Sequence, residues 1–304
     1  MGQVDFKGVK TLIGIENPIL HRGVLDAFRY AGCNDMRQMH AHGDINLIED
    51  EIFDLIILST QMGEAVFLPI IVDLRNGMLS HHAFPIVIML IADAEYSHVR
   101  EVISSGADDV LLMPLSLGTI LSRASILAEK RKKFIITDDY TGPDRRTGAR
   151  PGDPKIPLFD VPNPLRARLA GTTKADFAIE VEQADHGIRL MKIEALAIRF
   201  RRVVTALGQL FSTKHSVDSA ALHSYAGQLK EMADGLPKLL GDKMMNHRLF
   251  GLLSNVLVCI KLIEQHSVDM AAKDLHLISE ACNELCSELD KLVTKPTISD
   301  GQRG

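Results

Sequence analysis

The chain has 304 residues, of which 46% are hydrophobic and 24% are charged, and its net charge is −5 at neutral pH. This composition excludes a disordered protein and allows two packed domains. No apolar run is long enough to cross a bilayer and the start lacks a signal-peptide pattern, so a cytoplasmic protein is expected. The four cysteines form no CxxC pair, so neither zinc nor a disulfide is expected.

The first 130 residues alternate short apolar runs with helical patterns, which predicts an α/β domain at residues 1–131. The predicted strands cover residues 11–15, 35–39, 55–58, 85–91 and 110–113, and a helical pattern follows each of them. Continuous apolar strands that alternate with helices form parallel sheets covered on both faces. Five such units in about 120 residues predict the flavodoxin-like, doubly wound order of strands.

Residues 132–171 interrupt this pattern and are predicted to be a Pro-rich, basic linker. Six of the 12 prolines lie between Pro143 and Pro164, and residues 129–171 carry 10 Lys and Arg against 6 Asp and Glu. Proline fixes φ and removes an amide donor, so long regular elements are not expected here. The positive charge hints at an anionic partner, but a solvated linker is the simpler interpretation.

The pattern becomes helical in residues 172–295, and residues 296–304 are predicted to be a flexible tail. Four predicted helices joined by short loops indicate a helical bundle, and the last two carry heptad stripes of apolar residues. The first of the four predicted helices shows apolar residues on more than one face. This excess of apolar surface predicts a homodimer through the C-terminal helices. These residues are Ile188, Leu190, Met191, Ile193, Leu196, Ile198 and Phe200.

Two segments resemble a known family. Residues 53–59 (FDLIILS) and 106–114 (GADDVLLMP) resemble the third and fifth strands of a response-regulator receiver domain, and the resemblance extends over about residues 8–130. It implies a receiver fold in which acidic residues after the first strand hold magnesium and an aspartate ends the third strand and accepts phosphate. Residues 137–146 resemble a segment that often follows receiver domains, and the turn at Asp108 and Asp109 is predicted to be solvated.

The positions that carry the chemistry of that family are altered in this sequence. The acidic pair is reduced to Ile15 and Glu16, and the acceptor position holds Ser59, whose hydroxyl cannot form an acyl phosphate. Ile91 replaces the family's Thr or Ser, and Met113 replaces its lysine. Magnesium and a phosphoryl group need hard oxygen ligands and positive charge, which these residues do not supply. The resemblance therefore predicts a degenerate receiver pocket with no metal, no cofactor and no catalysis.

A second resemblance lies in the third helix of the predicted bundle. Residues 246–255 (NHRLFGLLSN) resemble the H-x-L-K-G motif of histidine phosphotransfer (HPt) domains, which are four-helix bundles with an exposed histidine. The resemblance makes His247 the phosphoryl carrier and gives Gly251 the role of clearing the donor's approach. Phe250 stands where that family has lysine, and an ordinary exposed histidine is the alternative interpretation.

These features predict a non-catalytic adaptor of two-component signalling, with histidine kinases, receivers or phosphotransfer proteins as partners. In the receiver family, the fourth helix, fifth strand and fifth helix commonly bind partners. The matching apolar residues here are Tyr96, Val99, Val102, Leu115, Ile120 and Leu121. Two alternatives stay open, namely phosphotransfer through His247 and an atypical transcriptional regulator. Nucleic-acid binding is not expected, because no helix-turn-helix pattern follows the basic cluster at residues 199–202.

Overall fold

A computed structural model describes residues 5–40, 46–62, 64–79, 84–92, 95–137, 139–146, 157–212, 219–266 and 272–294. The chain divides into two compact units, Met1–Gly187 and Ile188–Gly304. The predicted tail at 296–304 and residues 147–156 of the predicted linker lie outside the described residues, as does the side chain of Tyr96.

The first unit is built around a parallel sheet of five strands in the order β2-β1-β3-β4-β5. The strands are β1 (Lys10–Gly14), β2 (Asp35–Met39), β3 (Leu55–Ser59), β4 (Ile86–Ile91) and β5 (Asp109–Leu112). The helices between and after them are α1 (Pro18–Tyr30), α2 (Asn46–Asp50), α3 (Glu64–Arg75), α4 (Tyr96–Ser104) and α5 (Leu117–Glu129). This strand order is that of the flavodoxin-like doubly wound fold, so the predicted fold class is confirmed.

Both faces of the sheet are buried, which explains why the strand sequences are almost continuously apolar. Every residue of β3 and β4 is buried. Successive side chains point to opposite faces, so Leu55 and Ile57 pack with α1 and α5. Ile56 and Leu58 pack on the other face with α2, α3 and α4. Because all five strands run parallel, their carboxyl ends lie at one common edge, between the two helical layers.

The segment after α5 differs from the predicted linker. β6 (Phe134–Ile136) pairs antiparallel with β7 (Thr141–Pro143) and β8 (Leu158–Phe159), and α6 (Pro164–Leu169) follows. The prolines are tolerated because Pro143 ends an edge strand and Pro164 begins a helix, where no amide donor is needed. The described part of this segment belongs to the first compact unit.

Within the described residues, the second unit is a bundle of four helices, as predicted. They are the C-terminal part of α7 (Lys174–Ser212), α8 (Ser219–Met244), α9 (His247–His266) and α10 (Ala272–Thr294). Each helix turns one apolar stripe into a common core, which includes Phe200, Leu229, Val256 and Leu285. The boundary between the two units falls inside α7 rather than at residue 171.

Candidate functional site: the two edges of the sheet and the outer face of α9

The residues of the predicted degenerate pocket lie together at the carboxyl edge of the sheet. Ser59 and Ile91 are the last residues of β3 and β4, while Ile15 and Met113 directly follow β1 and β5. The amide of Met113 donates to the carbonyl of Ile91 at 2.8 Å, which joins the ends of β4 and β5. Glu16 lies next to Ile15 in the exposed loop before α1. In open sheets of this type, the crevice at this edge is where ligands bind.

The chemistry of this edge is apolar. Ile15 and Ile91 are buried, and each belongs to one of the two hydrophobic cores. Ser59 is 0% exposed, and its Oγ accepts the amide hydrogen of Gln61 at 3.3 Å. A buried hydroxyl beside apolar strand ends supplies neither a carboxylate nucleophile nor a charge that would hold a phosphoryl group. Within the described residues, no group of three or more His, Cys, Asp or Glu side chains could hold a metal ion.

Two histidines near this edge were missed by sequence reasoning. His21 of α1 and His40, which follows β2, stand edge to face with ring centroids 5.3 Å apart. His21 is only 7% exposed, and its Nε2 is buried without a hydrogen-bond partner among the described residues. Burial, with a smaller contribution from the nearby His40, lowers the pKa of His21. No local pattern marks this pair, because it forms only when α1 packs beside β2.

The protein is expected to lose stability as the pH falls below 6.5, the ordinary pKa of an unfolded histidine. The folded chain keeps His21 neutral, so the unfolded chain binds the proton first and acid favours unfolding. The urea midpoint of His21→Gln should therefore change less than that of the wild type between about pH 7.5 and pH 5.5. His276→Gln, at an exposed position of α10, is the control and should keep the wild-type pH dependence. Equal pH dependence in all three proteins would contradict this role of His21.

The opposite, amino edge of the sheet carries a buried ionic network. Asp108, just before β5, accepts hydrogen bonds from Arg75 of α3 at 2.7 Å and from Arg131 after α5 at 2.8 Å. All three side chains are at most 3% exposed. Burial opposes the ionisation of Asp108, but the two guanidinium groups outweigh it and hold the pKa of this carboxyl below its usual value. Asp108 is therefore an internal counter-ion, and the predicted solvated turn is wrong both here and at Asp109, which is also buried.

The same edge binds the segment that follows α5. Arg131 also donates to the carbonyl oxygens of Phe84 and Pro162, at 2.7 and 2.6 Å. Arg168 of α6 donates to the buried carboxylate of Asp54 at 3.1 Å. Burial still raises the pKa of Asp54, in spite of that cation. The positive charge of this segment suggested an anionic partner. Arg131 and Arg168 instead bind carboxylates and carbonyl oxygens of their own unit.

β7 crosses Gly106 so closely that no side chain fits between them. A Cβ on Gly106, whose φ is +91°, would lie 2.7 Å from the carbonyl oxygen of Thr141. A Cβ on Gly142 would lie 2.8 Å from the Cα of Gly106. The guanidinium of Arg145 donates to the carbonyl oxygen of Ala107, the next residue. The segment at residues 137–146 therefore has a structural role, which is to cover the amino edge of the sheet.

The predicted partner face of the first unit is only partly available. Val102 and Ile120 are buried in the two cores and cannot contact a partner. Three other predicted residues are half-buried: Val99, Leu115 and Leu121. Leu112 of β5 and Leu117 of α5 are exposed on the same elements, although the sequence did not single them out. The sequence of an edge strand can be as apolar as that of a central strand. The exposure of Leu112 can therefore be inferred only once the strand order is known.

In the bundle, His247 is the first residue of α9 and is exposed. The side chain of Asn246 accepts the amide hydrogen of Leu249 at 2.9 Å, which caps the helix just before His247. Gly251 is exposed one turn later, with no atom within 4 Å of the place where a Cβ would stand. The accessible surface beside them also carries Phe250, so the residues of the HPt-like motif share one side of α9.

Two arginines of the basic cluster on α7 form ion pairs with neighbouring helices of the bundle. Arg199 forms an ion pair with Glu231 of α8 at 3.6 Å, and Arg201 pairs with Asp290 of α10. Only Arg202 of the three is mainly exposed. These pairs connect α7 to α8 and α10 and partly neutralise the cluster.

Solved structures similar to this chain are receiver domains. The receiver domain of the Francisella response regulator 1452 is 22% identical over 40% of this chain and 96% of that chain, with a TM-score of 0.35. The receiver domain of NarL from Mycobacterium tuberculosis is 19% identical over 41% and 99% of the two chains, with a TM-score of 0.36. A signal receiver domain from Clostridium thermocellum is 17% identical over 40% and 98%, with a TM-score of 0.35.

A scan against models of protein families finds no match, and a search of curated proteins finds none either. The resemblance to receiver domains is confirmed for the N-terminal part of the chain, where the fold itself is defined by the strand order. Among the described residues, no helix has the length and apolar character that a membrane span requires.

Proposed function

We propose that the chain is a phosphorylation-deficient adaptor of two-component signal transduction, which acts through protein–protein contacts and not through catalysis. The observation that carries this proposal is Ser59, which is fully buried at the acceptor position. Ile91 and Met113 stand beside it where a phosphoryl group would need a hydroxyl and a cation. The partners are histidine kinases, receivers or phosphotransfer proteins, the site of action is the cytoplasm, and no cofactor takes part.

Treatment with acetyl phosphate and magnesium is expected to leave the mass of the full chain unchanged. Ser59→Asp should also stay unmodified, because Ile15 and Met113 still leave the metal and the phosphoryl group unsupported. Intact-mass spectrometry measures both, with a phosphorylatable receiver in the same reaction as the positive control. A stable phosphoryl group on a wild-type peptide from residues 5–130 would contradict the proposal.

Phosphotransfer is the second candidate, and the exposure of His247 beside the open surface at Gly251 favours it. In that case a phosphorylated receiver labels the chain on incubation, and His247→Gln removes the label without changing helicity. His276→Gln serves as the matched control on another exposed histidine. Under the adaptor proposal, neither variant differs from the wild type and no label is transferred.

A further inference from the structure

His21 holds a core-facing position in the first turn of α1, which begins at Pro18. The buried residues of this helix have the spacing of a single helical stripe: His21, Val24, Leu25 and Phe28. The other three side chains of the stripe are apolar and belong to the core between α1, α5 and the sheet. An ionisable ring therefore stands in the packed face of the helix, at the end of the stripe.

The surroundings of this ring offer nothing that would stabilise a positive charge. Nε2 of His21 is buried and has no hydrogen-bond partner among the described residues. The first turn of α1 contains no acidic residue, and Glu16 lies before it in an exposed loop. The amino end of a helix carries a partial positive charge, which disfavours a cation there. A proton on His21 is thus opposed both by burial and by the helix dipole.

The second ring of the histidine pair adds to this opposition. His40 directly follows β2, and its ring stands edge to face with that of His21, with the centroids 5.3 Å apart. His40 is exposed, so its ring can exchange protons with the solvent. Two imidazolium rings at this separation would repel each other. The pair therefore holds the first turn of α1 against the end of β2 only while the rings are neutral.

The other charged groups of the neighbouring elements are engaged elsewhere. Ion pairs occupy most of them: Arg22 with Asp26, Lys10 and Arg37 with Glu51, and Arg123 with Asp109. Asp35 of β2 and Glu129 of α5 stand at the amino edge of the sheet, the opposite edge from His40. Among the described residues, His40 is the one charged or titratable group whose field acts on His21.

We propose that the first turn of α1 is an acid-sensitive latch, which is closed while His21 and His40 are neutral and opens when they take up protons. In the closed state the ring of His21 completes the buried stripe and the ring of His40 lies against it. In the open state the ring of His40 turns into the solvent, and the first turn of α1 unwinds until His21 is hydrated. The later turns stay packed, because the three apolar residues of the stripe remain in the core.

The latch borders the carboxyl edge of the sheet, because Ile15 and Glu16 directly precede the cap residue Asn17. Oδ1 of Asn17 accepts the amide hydrogens of Ile19 and Leu20, each at 3.0 Å, and these are the hydrogen bonds that opening breaks. Histidine changes its charge between pH 5 and 8, so mild acidification is enough to operate the latch. The latch goes beyond the adaptor proposal, because it operates whether or not the first unit accepts phosphate.

Hydrogen–deuterium exchange of the full chain at about pH 7.5 and about pH 5.5, corrected for the intrinsic exchange rate, tests the latch. Peptides from residues 15–25 are expected to lose protection at least about threefold at the lower pH, while peptides from β3 and β4 stay protected over the same labelling times. His21→Gln should abolish this response, because an amide side chain does not titrate. His40→Gln should weaken it, and His276→Gln, at an exposed position of α10, should respond as the wild type does.

Two measurements keep the test decisive if His21→Gln destabilises the first unit. His40 is exposed, so His40→Gln can be compared with the wild type in a folded chain. In the wild type, the ring signals of His21 in nuclear magnetic resonance spectra should titrate at a lower pH than in the urea-unfolded chain, together with the loss of protection. The latch is overturned by equal protection of residues 15–25 at both pH values, by an undiminished response in His21→Gln or His40→Gln, or by simultaneous loss of protection in β3 and β4.

Discussion

Asp108→Asn is expected to lower the free energy of unfolding of the first unit by about 3–5 kcal/mol. The asparagine has almost the same shape but leaves Arg75 and Arg131 buried beside a neutral group. Two cations that cannot reach water then face each other at the amino edge of the sheet, and burial already lowers the pKa of Arg75 to about 10. Hydrogen exchange of peptides from β4 and β5 measures this loss separately from the bundle.

The neighbouring residue provides the matched control for this measurement. Asp109 pairs with Arg123, whose side chain is exposed and stays hydrated when its partner is lost. Asp109 is itself buried, but only one hydrated cation depends on it, so Asp109→Asn should cost clearly less than Asp108→Asn. Similar losses in the two variants would mean that the buried network is not what secures the amino edge.

Gly106→Ala should destabilise the first unit by about 2–5 kcal/mol. The backbone at this position is left-handed, a conformation that costs a non-glycine residue free energy. The added methyl group would also lie 2.7 Å from the carbonyl oxygen of Thr141. Gly77→Ala is the control, because its φ of +69° is also left-handed but no neighbouring atom lies within 4 Å of the new Cβ. That variant should lose only about 1–2 kcal/mol.

Urea unfolding followed by far-UV circular dichroism, combined with exchange of the β7 amides, separates the two contributions. If β7 crosses Gly106 as described, Gly106→Ala loses both stability and β7 protection, while Gly77→Ala keeps that protection. Equal loss in both variants would mean that backbone strain alone explains the effect and that β7 does not press on Gly106.

The fold of the first unit could be predicted from the sequence because its strands are buried on both faces. β3 is apolar up to its last residue, Ser59, and β4 is apolar throughout. Such apolar runs between helical patterns predict a parallel sheet. The pocket residues could be located for the same reason, since the chemistry of this fold sits where strands end. The resemblance to receiver domains then indicated which residues that family carries at those strand ends.

The amino edge could not be predicted, because nothing local distinguishes its charges from surface charges. Asp108 lies in a turn-like sequence, and its partners are distant in the sequence: Arg75 ends α3 and Arg131 follows α5. Proline content likewise suggested a linker, since composition does not reveal whether a proline sits at an edge strand or a helix start. On the partner face, periodicity marked Val102 and Ile120 as apolar but not which way they point.

The closed amino edge also decides which piece of this chain can be exchanged as a module. Arg145 donates to the carbonyl of Ala107 and Arg168 to the carboxylate of Asp54, so a fusion joined at residue 131 would separate these two donors from the starts of β5 and β3. The excised sheet would keep Arg75 and Arg131 on Asp108, but the buried carboxylate of Asp54 would lose Arg168. The transferable unit therefore runs through α6, some forty residues past the end of α5.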